Sequence, residues 1–448
     1  MRGRGAARSR VPRPPSREMR YAHITGWGKY VPQRVVTNDE LAQTVETSDG
    51  WIRDRTGIAE RRIAGPSETT ASMAIAAAIG ALDVAGASGS QLDLIIVATT
   101  TPEHLFPSTA CLVQDALGAA RAGAFDLSAA CSGFVYGLSL GADAIKAGSA
   151  NTVLVIGSET LSRIVNWKDR NTCVLFGDGA GAVLLQGSDQ PGGILSTLLR
   201  ADGSGGELLI IPAGGSRQPV TPEAIAQNLH TIQMNGREVF RFASRVMDRA
   251  TREIIYKAGW TTDQVDLFVP HQANLRIIEM AARSLGVPLD KFYCNIARYG
   301  NTSAASIPIA LTEAAESGLL RPKDRVVMVG FGAGLTWAAA ALEWGEPHPA
   351  SRSQKTLSRL GYGVASVRSR ARRLFRRVED RLFGTLDPTL HPSPAREPAR
   401  ELPGRNGSEP GRRGDGKREP TPASDPKPES VTANGTPSDQ SALEEARS

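Results

Sequence analysis

The chain repeats the order of its elements, and this repeat constrains its fold more than any other feature. The segment QLDLIIV that begins at Gln91 matches QVDLFV at Gln264, and NTVLVIG at Asn151 matches DRVVMVG at Asp324. Both matches have an offset of about 173 residues, which indicates a duplicated unit. Two strand–helix copies, each too small to cover its own sheet, predict an α/β fold of two halves packed in layers as a pseudo-dimer. Functional residues of the two halves should meet at their junction, near the carboxyl ends of strands.

The periodicity of apolar residues predicts the elements within the first half. Helices are predicted over residues 69–85, 108–117 and 133–146, and buried strands over residues 92–98, 123–127 and 152–156. Residues 37–41 are interpreted as a capped helix start and residues 48–57 as a polar loop that carries arginines. We expect Cys111 on the buried side of its helix, and Cys173 and Cys294 in buried strands. Residues 176–181 (FGDGAG) precede a strand and not a helix, which argues against a phosphate-binding loop.

The net charge of +6 lies outside the predicted core. Residues 1–19 and 345–448 each carry a net charge of +5, so residues 20–344 carry −4, which argues against a core that binds nucleic acid. The four cysteines are widely separated and form no Cys-x-x-Cys pair. This spacing argues against a zinc site and a disulfide framework, and it favours the reducing cytoplasm. No apolar run is long enough to cross a bilayer, and the N-terminus lacks the apolar core of a signal peptide.

Composition divides the chain into five segments. They are a disordered basic extension (1–19), the two halves of the core (20–190 and 191–346), a basic segment (347–386) and a disordered tail (387–448). Met19 is an alternative start of the natural chain. In the basic segment, apolar residues recur at steps of four and three from Leu360 to Leu382 with arginines between them, which predicts a basic amphipathic helix. Such a helix docks on the core, stays solvated, or contacts a membrane surface or a partner.

Residues 126–134 (DLSAACSGF) place Cys131 between a predicted strand and a predicted helix. Backbone N–H groups at a helix start have no intrahelical partner, and the helix dipole favours a thiolate there. We therefore expect a lowered pKa for the Cys131 thiol. From this stretch alone, a nucleophile and a buried structural thiol are equally consistent with the sequence.

Two further loop-to-helix junctions favour the nucleophile. Residues 269–276 (VPHQANLR) place His271 at the end of a buried strand, where Gln272 and Asn274 add polar groups that a plain core would have to satisfy. Residues 295–305 (NIARYGNTSAA) place Asn301 before a helix, where it could also be an ordinary N-cap. One Cys, one His and one Asn at junctions of the same repeated architecture form a more specific signal than any of them alone.

These three stretches resemble the β-ketoacyl-acyl-carrier-protein synthase III family, the condensing enzymes of the thiolase fold that start type II fatty acid biosynthesis. The resemblance covers about residues 20–344, and the family's Cys-His-Asn triad falls on Cys131, His271 and Asn301. It implies a cytoplasmic acyltransferase of lipid metabolism that condenses an acyl-CoA primer with malonyl-acyl carrier protein. The implied products are 3-oxoacyl-carrier protein, coenzyme A and CO2, formed through an acyl-Cys131 intermediate without a metal or redox cofactor.

The same resemblance assigns the remaining site residues. His271 and Asn301 would stabilise an enolate, and the backbone N–H groups of Cys131 and Ala333 a tetrahedral oxyanion, although the family usually has Gly at the position of Ala333. Phe106 would close the acyl pocket of the partner subunit, which implies a homodimer. Matching positions for coenzyme A are Trp51, Arg55, Thr56, Arg170 and Asn274, and those for the acidic carrier protein are Arg241, Arg276 and Arg283.

Other functions remain open at this point. Within the fold, the alternatives are a starter-unit condensing enzyme of secondary metabolism and an acyltransferase that acts on an alcohol or amine without decarboxylation. Hydroxymethylglutaryl-CoA synthase fits the motifs less well. An alternative of another class is a scaffold that recruits a partner or a membrane through the basic helix. The intact Cys-His-Asn set argues against the scaffold.

Overall fold

The sequence repeat becomes two sheets in the computed structural model, which describes residues 20–345 and Ala371. The first sheet has the strand order β1-β7-β6-β4-β5 and consists of β1 (Tyr21–Tyr30), β4 (Leu94–Ala98), β5 (Gly123–Leu127), β6 (Thr152–Glu159) and β7 (Gly179–Ser188). The second has the order β8-β13-β12-β11 and consists of β8 (Gly193–Ala201), β11 (Leu267–Pro270), β12 (Arg325–Gly332) and β13 (Thr336–Glu343). Short pairs are β2 (Val35–Thr37) with β3 (Glu60–Arg62), and β9 (Leu209–Ile210) with β10 (Gln233–Met234).

The two sheets share one topology. In the first, β4 pairs in parallel with β6, and β7 then pairs antiparallel with both β6 and β1. In the second, β11 pairs in parallel with β12, and β13 then pairs antiparallel with both β12 and β8. Strand β5 pairs in parallel with β4 at the edge of the first sheet, and at the equivalent edge of the second sheet the described residues form only one parallel bridge, Phe268 with Phe292. The duplication is therefore complete for four strands of each half.

Helices form the layers around and between the sheets. They are α1 (Asn38–Ala42), α2 (Asp49–Thr56), α3 (Thr70–Ala85), α4 (Thr109–Ala116), α5 (Gly133–Lys146), α6 (Arg170–Cys173), α7 (Pro222–Ala226), α8 (Gly236–Lys257), α9 (Leu275–Leu285), α10 (Ile296–Tyr299) and α11 (Ser306–Glu316). Helices α5 and α11 lie between the two sheets, where Phe134, Leu138 and Leu311 pack in the central core. Helix α3 covers the outer face of the first sheet, and α8 with α9 that of the second. This stacking buries both faces of each sheet.

The segment over residues 48–57 was predicted as a loop, and this prediction is wrong because the segment forms α2. The Ser48 hydroxyl accepts a hydrogen bond from the Trp51 N–H, and Asp49 pairs with Arg53 one turn later. Gly57, with φ +77°, ends the helix in the left-handed conformation. Capping residues and one i,i+4 ion pair thus outweigh the polar composition.

Three burial predictions are also wrong. Strand β5 was expected to be buried, but it lies at a sheet edge and Phe125 is 40% exposed. Cys111 is exposed on α4 and not on its buried side. Cys173 is buried, but in the short helix α6, and Cys294 is exposed in a connecting segment. An apolar run predicts a strand but does not say whether a second strand will cover its edge.

The predicted N-terminal extension, basic amphipathic helix and C-terminal tail lie outside the described residues, with the exception of Ala371. Among the described residues, no helix is long and apolar enough to cross a membrane.

Candidate active site

Cys131 lies in a tight turn, Ala130–Ser132, that connects β5 to α5 and is called the Cys131 turn below. Ala130 has φ +45°, a conformation that residues other than glycine rarely adopt. The turn packs against β12 of the other half, where a Cβ atom added at Gly332 would lie 2.6 Å from the Cys131 nitrogen. Glycine at position 332 therefore leaves the space that the turn occupies.

The pKa of the Cys131 thiol was expected to be lowered, and this prediction is wrong. The residue is only 7% exposed, and burial raises the pKa of the thiol to about 12. The nearby Glu159 carboxylate acts in the same direction, whereas the Ser303 hydroxyl lowers the pKa of the thiol. Burial destabilises the thiolate by more than the hydrogen bonds at the turn stabilise it.

His271 follows β11, and its neighbours fix the ring. Its backbone N–H donates to the Val329 carbonyl at 2.8 Å, and its Nδ1 lies 2.6 Å from the Ser306 Oγ. We assign the Ser306 hydroxyl as the donor to His271 Nδ1, and its oxygen can at the same time accept the Gln272 N–H at 3.5 Å. This assignment makes Nε2 the nitrogen that carries the imidazole proton. Burial lowers the pKa of His271 to about 3, so the ring is neutral at physiological pH.

Asn301 is held by hydrogen bonds that orient its amide. Its backbone N–H donates to the Leu175 carbonyl at 2.8 Å, and its carbonyl accepts the Gly177 N–H at 3.0 Å. The side-chain Oδ1 accepts the Ser303 N–H at 2.8 Å. Because only the oxygen can accept this hydrogen bond, the Nδ2 amino group is left as the donor of the amide.

Cys131, His271 and Asn301 line one cavity of about 90 Å³. Its other walls are mostly apolar and include Phe331 and Phe242. The triad that the sequence predicted is thus brought together, from β11 and from the turns before α5 and α11. A sulfur that shares an apolar cavity with two neutral hydrogen-bond donors is suited to acyl transfer through an anionic intermediate.

A wider hollow of about 710 Å³ adjoins the cavity, and both are lined by Leu175, Met234, Gly236 and Asn274. Trp51, Arg55 and Thr56 line this mouth. The Arg55 and Arg170 guanidinium carbons lie 4.5 Å and 4.9 Å from the centre of the Trp51 ring. The structure therefore gathers one aromatic ring and two cations at the entrance, an arrangement that suits an aromatic base with phosphates.

Two residues assigned to coenzyme A already have internal partners. The Thr56 hydroxyl donates to the Ile52 carbonyl at 2.7 Å and accepts the Ile58 N–H at 3.0 Å. Asn274 caps α9 through its Oδ1, and its Nδ2 donates to the Arg55 carbonyl at 2.9 Å. Asn274 thus ties α9 to the segment that carries Arg55.

The other predicted site residues lie away from the cavity. Phe106 is 86% exposed and does not line it. Arg241 pairs with Glu238, and Arg283 approaches Glu279 at 4.0 Å. Arg276 is exposed and lines a hollow beside the mouth that Trp51 also lines. The Ala333 carbonyl accepts a hydrogen bond from the Thr336 hydroxyl, and its neighbour Gly332 lines the cavity.

Four residues that shape the site were missed in the sequence: Glu159, Ser303, Ser306 and Gly332. Ser303 lies in the stretch 295–305 that the sequence analysis singled out, and Ser306 follows that stretch directly. The signal that could have found the other two is the repeat itself, because its offset matches Glu159 of β6 to Gly332 of β12. Among residues 20–345, no group of three or more His, Cys, Asp or Glu side chains is arranged to hold a metal ion.

Comparison with known proteins identifies the family. Family models described as 3-oxoacyl-[acyl-carrier-protein] synthase III and its C-terminal part match residues 125–203 and 255–344. The chain is 53% identical to the β-ketoacyl-[acyl-carrier-protein] synthase III of Roseiflexus sp. strain RS-1, over 72% of this chain and 98% of that protein.

Solved structures give the same result. The 3-oxoacyl-[acyl-carrier-protein] synthase III of Aquifex aeolicus VF5 has 50% identity and a TM-score of 0.68, over 72% of this chain and all of that one. The priming β-ketosynthase of the R1128 polyketide biosynthetic pathway has 38% identity and a TM-score of 0.69, over 75% of this chain and 99% of that one. The fold is therefore that of the thiolase-like condensing enzymes, as predicted. This chain belongs to the β-ketoacyl-acyl-carrier-protein synthase III family.

Proposed function

We propose that this protein condenses an acyl-CoA primer with malonyl-acyl carrier protein and releases CO2 and coenzyme A. The observation that carries the proposal is the shared cavity lined by Cys131, His271 and Asn301. Family membership gives the substrates and places the reaction in fatty acid biosynthesis.

The first step is acyl transfer to Cys131. The sulfur forms a bond to the acyl carbon while the bond from that carbon to the sulfur of coenzyme A breaks, and the thiol proton leaves with coenzyme A. Because the pKa of the thiol is about 12, the resting residue is a thiol at physiological pH and not half of an ion pair with His271. The tetrahedral oxyanion of this step would be held by the backbone N–H groups of Cys131 and Ala333.

The second step forms and uses an enolate. The bond between the malonyl methylene and its carboxylate breaks, CO2 leaves, and charge develops on the thioester oxygen. His271 Nε2–H and Asn301 Nδ2–H are proposed to donate to this oxygen, and losing one such donor costs about 2.7–4 kcal/mol. The enolate carbon then attacks the acyl-Cys131 carbonyl, and the departing Cys131 sulfur takes up one proton from solvent.

The apolar walls and neutral donors explain why no base is required. Decarboxylation itself generates the carbanion, so His271 only has to remain a neutral donor, and burial keeps it neutral. An imidazolium at this position would add a charge that the small cavity could not solvate.

The surface around the mouth supports the assignment of substrates. Trp51 with Arg55 and Arg170 is proposed to bind the adenine and phosphates of coenzyme A. The exposed residues Arg241, Arg276 and Arg283 on α8 and α9 are proposed to contact the acidic carrier protein. Both partners would approach the same entrance in turn, since the acyl-enzyme forms before the malonyl group enters.

A homodimer is proposed from exposed apolar residues that a monomer would leave in water. Leu105 and Phe106 are 87% and 86% exposed, and Phe125 lies on the edge strand β5. A second copy that covers this edge would bury all three and could bring its Phe106 to the acyl pocket. A cytoplasmic location is proposed from the unpaired cysteines, and a membrane contact of the basic helix stays a prediction.

The proposal is tested by incubating the protein with acetyl-CoA and malonyl-acyl carrier protein. A 3-oxoacyl-carrier protein and stoichiometric CO2 are expected, and transfer of acyl groups to an alcohol or amine without CO2 would contradict it. Deletion of residues beyond 346 should leave condensation intact. A protein that served only as a scaffold would not need to catalyse condensation at all.

The likeness to the R1128 priming ketosynthase favours one second candidate, a starter-unit enzyme of secondary metabolism. A panel of primers that differ in length and branching separates the two. Preference for acetyl-CoA supports primary fatty acid synthesis, whereas preference for a longer primer favours the second candidate.

A further inference from the structure

Glu159 is a buried carboxylate for which the proposed reaction has no use. It ends β6, has 0% exposure and accepts hydrogen bonds from Thr100 N–H at 3.1 Å, Thr101 Oγ1 at 2.7 Å and Ser303 Oγ at 3.0 Å. The hydroxyls of Thr99 and Thr100 also donate to it. Every one of these donors is uncharged.

No Lys, Arg or His among residues 20–345 forms an ion pair with Glu159. The buried Glu313 of α11 differs, because Arg298 approaches it at 2.8 Å and Lys29 at 3.8 Å. Burying a carboxylate without a cation is costly, even when several hydrogen bonds offset part of the cost. Glu159 does not line the cavity, but it is hydrogen-bonded to Ser303, two residues after Asn301, and a costly buried group so near a reactive site indicates a task other than stability.

Ser303 connects Glu159 to Asn301. Its hydroxyl donates to Glu159 Oε1, and its backbone N–H donates to Asn301 Oδ1 at 2.8 Å. Ser303 has φ +48°, a strained conformation for a residue with a Cβ atom, and such conformations persist only where the surroundings hold them. The hydrogen bond to Glu159 is the contact through which the Ser303 side chain is held.

The position of Glu159 in the repeat supports a role beside the cavity. It is equivalent to Gly332, the residue that leaves room for the Cys131 turn. In the other half, Glu159 accepts a hydrogen bond from Ser303, which is equivalent in the repeat to Ala130 of the Cys131 turn. Both Glu159 and Ser303 also act on the Cys131 thiol, with opposite effects on its pKa.

We propose that Glu159 is a positioning residue for Asn301: it holds Ser303 so that the Asn301 amino group points into the cavity. This inference rests on the proposed function, because it gives Asn301 its task in the decarboxylation step. Acylation of Cys131 does not use Asn301. Loss of Glu159 should therefore slow decarboxylation of the malonyl thioester far more than acylation.

The test compares the two half-reactions in Glu159→Ala, Glu159→Gln and, as reference, Asn301→Ala. Acylation is followed by intact mass after mixing with acetyl-CoA, and decarboxylation by CO2 release from malonyl-acyl carrier protein. Glu159→Ala should lower decarboxylation about 10- to 100-fold, less than or equal to the loss in Asn301→Ala, and acylation less than about threefold. Glu159→Gln keeps an acceptor for Ser303 and should recover part of the decarboxylation rate.

The matched control is Asp178→Asn. Asp178 is another fully buried carboxylate, and it differs from Glu159 in its partners: it accepts from Ala64 N–H and from the Ser162 N–H and hydroxyl, and not from Ser303. This variant should leave the ratio of the two half-reactions unchanged, even if it melts at a lower temperature. Equal losses of both half-reactions in Glu159→Ala would overturn the inference, because they would indicate general damage.

A crystal structure of Glu159→Ala tests the inference without activity. The hydrogen bond between Ser303 N–H and Asn301 Oδ1 should be lost, and persistence of this bond with Asn301 unmoved would refute the positioning role. If the variant does not fold, Ser303→Ala removes only the hydroxyl that Glu159 accepts from, and its crystal structure should show the same displacement of Asn301. Its acylation rate is not the readout, because this hydroxyl also lowers the pKa of the Cys131 thiol. A wild-type protein that is acylated but releases no CO2 would instead refute the proposed function.

Discussion

The Cys131 turn and the turn formed by Ser303–Ala305, called the Ser303 turn, occupy equivalent places in the two halves of the molecule. Each begins at a residue with positive φ, Ala130 at +45° and Ser303 at +48°. Each leads directly into a central helix, α5 or α11. The active site is therefore built on two copies of the same turn, one from each half.

The two turns also pack in the same way on the opposite half. A Cβ atom added at Gly330 of β12 would lie 3.2 Å from Ser132 Cα, and one added at Gly157 of β6 would lie 2.2 Å from the Ala304 carbonyl oxygen. These two glycines are themselves equivalent in the repeat. Each half thus provides a turn and the strand on which the partner turn rests.

The chemistry comes from the residues at which the halves differ. The Cys131 turn carries a thiol beside Gly332, whereas the Ser303 turn carries Ala304 at the thiol position and packs beside Glu159. His271 follows β11 and is hydrogen-bonded to Ser306. The equivalent residues of the first half are Ala98 and Gly133, which cannot form such a bond through their side chains. One half supplies the nucleophile and the other the donors, so neither half has a complete site.

The largest effect is expected when the nucleophile is removed. Cys131→Ala makes the two turns alike at the thiol position and should abolish the acyl-enzyme, because no sulfur is left to form the thioester. The measurement is intact mass after incubation with acetyl-CoA. Cys173→Ala, at another buried cysteine, should still gain one acyl group, and an adduct on Cys131→Ala would contradict the assignment of the nucleophile.

The next largest effect should follow from a methyl group placed under each turn. Gly332→Ala would press on the Cys131 nitrogen and Gly157→Ala on the Ala304 carbonyl. Each should lower the free energy of unfolding by about 1–3 kcal/mol, and a displacement of about 1 Å at a reacting group can cost about 100-fold in rate.

The two methyl groups should damage different half-reactions. Gly332→Ala should mainly slow acylation of Cys131, whereas Gly157→Ala should mainly slow decarboxylation. Gly203→Ala is the control, because nothing lies within 4 Å of a Cβ atom there. If both variants slow the same half-reaction, the division of labour between the turns is wrong.

A smaller effect is expected at Ser306, which holds His271. Ser306→Ala removes the hydroxyl assigned as the donor to Nδ1, so the ring should lose its preference for the Nε2–H form. Decarboxylation should fall about 10-fold, the equivalent of one ordinary hydrogen bond, with acylation nearly unchanged.

Ser139→Ala is the matched control for this variant. Ser139 is a buried residue of the other central helix, α5, and its hydroxyl lies 2.7 Å from Thr197 Oγ1, away from the cavity. It should leave decarboxylation at the wild-type rate. A wild-type rate in Ser306→Ala as well would show that Ser306 does not orient His271.

The repeat and the local patterns predicted most of the scaffold. Offset matches between strands indicated the two halves, and apolar periodicity located α3 and α5, because these features are local in the chain. Helix α2 was missed because its polar composition hid the caps at Ser48 and Gly57. The exposure of β5 could not be predicted, since a strand's place in a sheet depends on its partners.

The sequence predicted the reacting groups and several residues of the mouth, among them Trp51 and Arg55, but not the contacts that support them. Cys131, His271 and Asn301 stand in recognisable stretches, but the contact from Ser303 to Glu159 spans 144 residues and leaves no local pattern. The pKa of Cys131 was predicted in the wrong direction, because the pattern shows the helix start and not the depth of burial. Supporting residues and electrostatics therefore required the three-dimensional structure.

The smallest effect is expected from pH, and it tests whether His271 acts as a neutral donor. Burial lowers its pKa from 6.5 to about 3, so its charge does not change between about pH 8 and about pH 5. The Cys131→Ala variant isolates this step, because it removes acylation and the titration of the thiol. Its decarboxylation of malonyl-acyl carrier protein should vary less than about twofold across this range.

Lower pH should reduce the stability of the protein without changing the charge of His271 in the folded site, so unfolding and catalysis can be separated. As pH falls below 6.5, the unfolded chain binds a proton at His271 that the folded protein does not bind until about pH 3, so stability decreases while the folded site stays neutral. Circular dichroism at each pH therefore accompanies the assay and corrects for any unfolded fraction. A change of rate with a midpoint near 6.5 in fully folded protein would mean that His271 titrates normally. The second half of the molecule would then supply a charged imidazolium to the enolate. His271 and Ser306 would differ from their equivalents in the first half, Ala98 and Gly133, in charge as well as in hydrogen bonding.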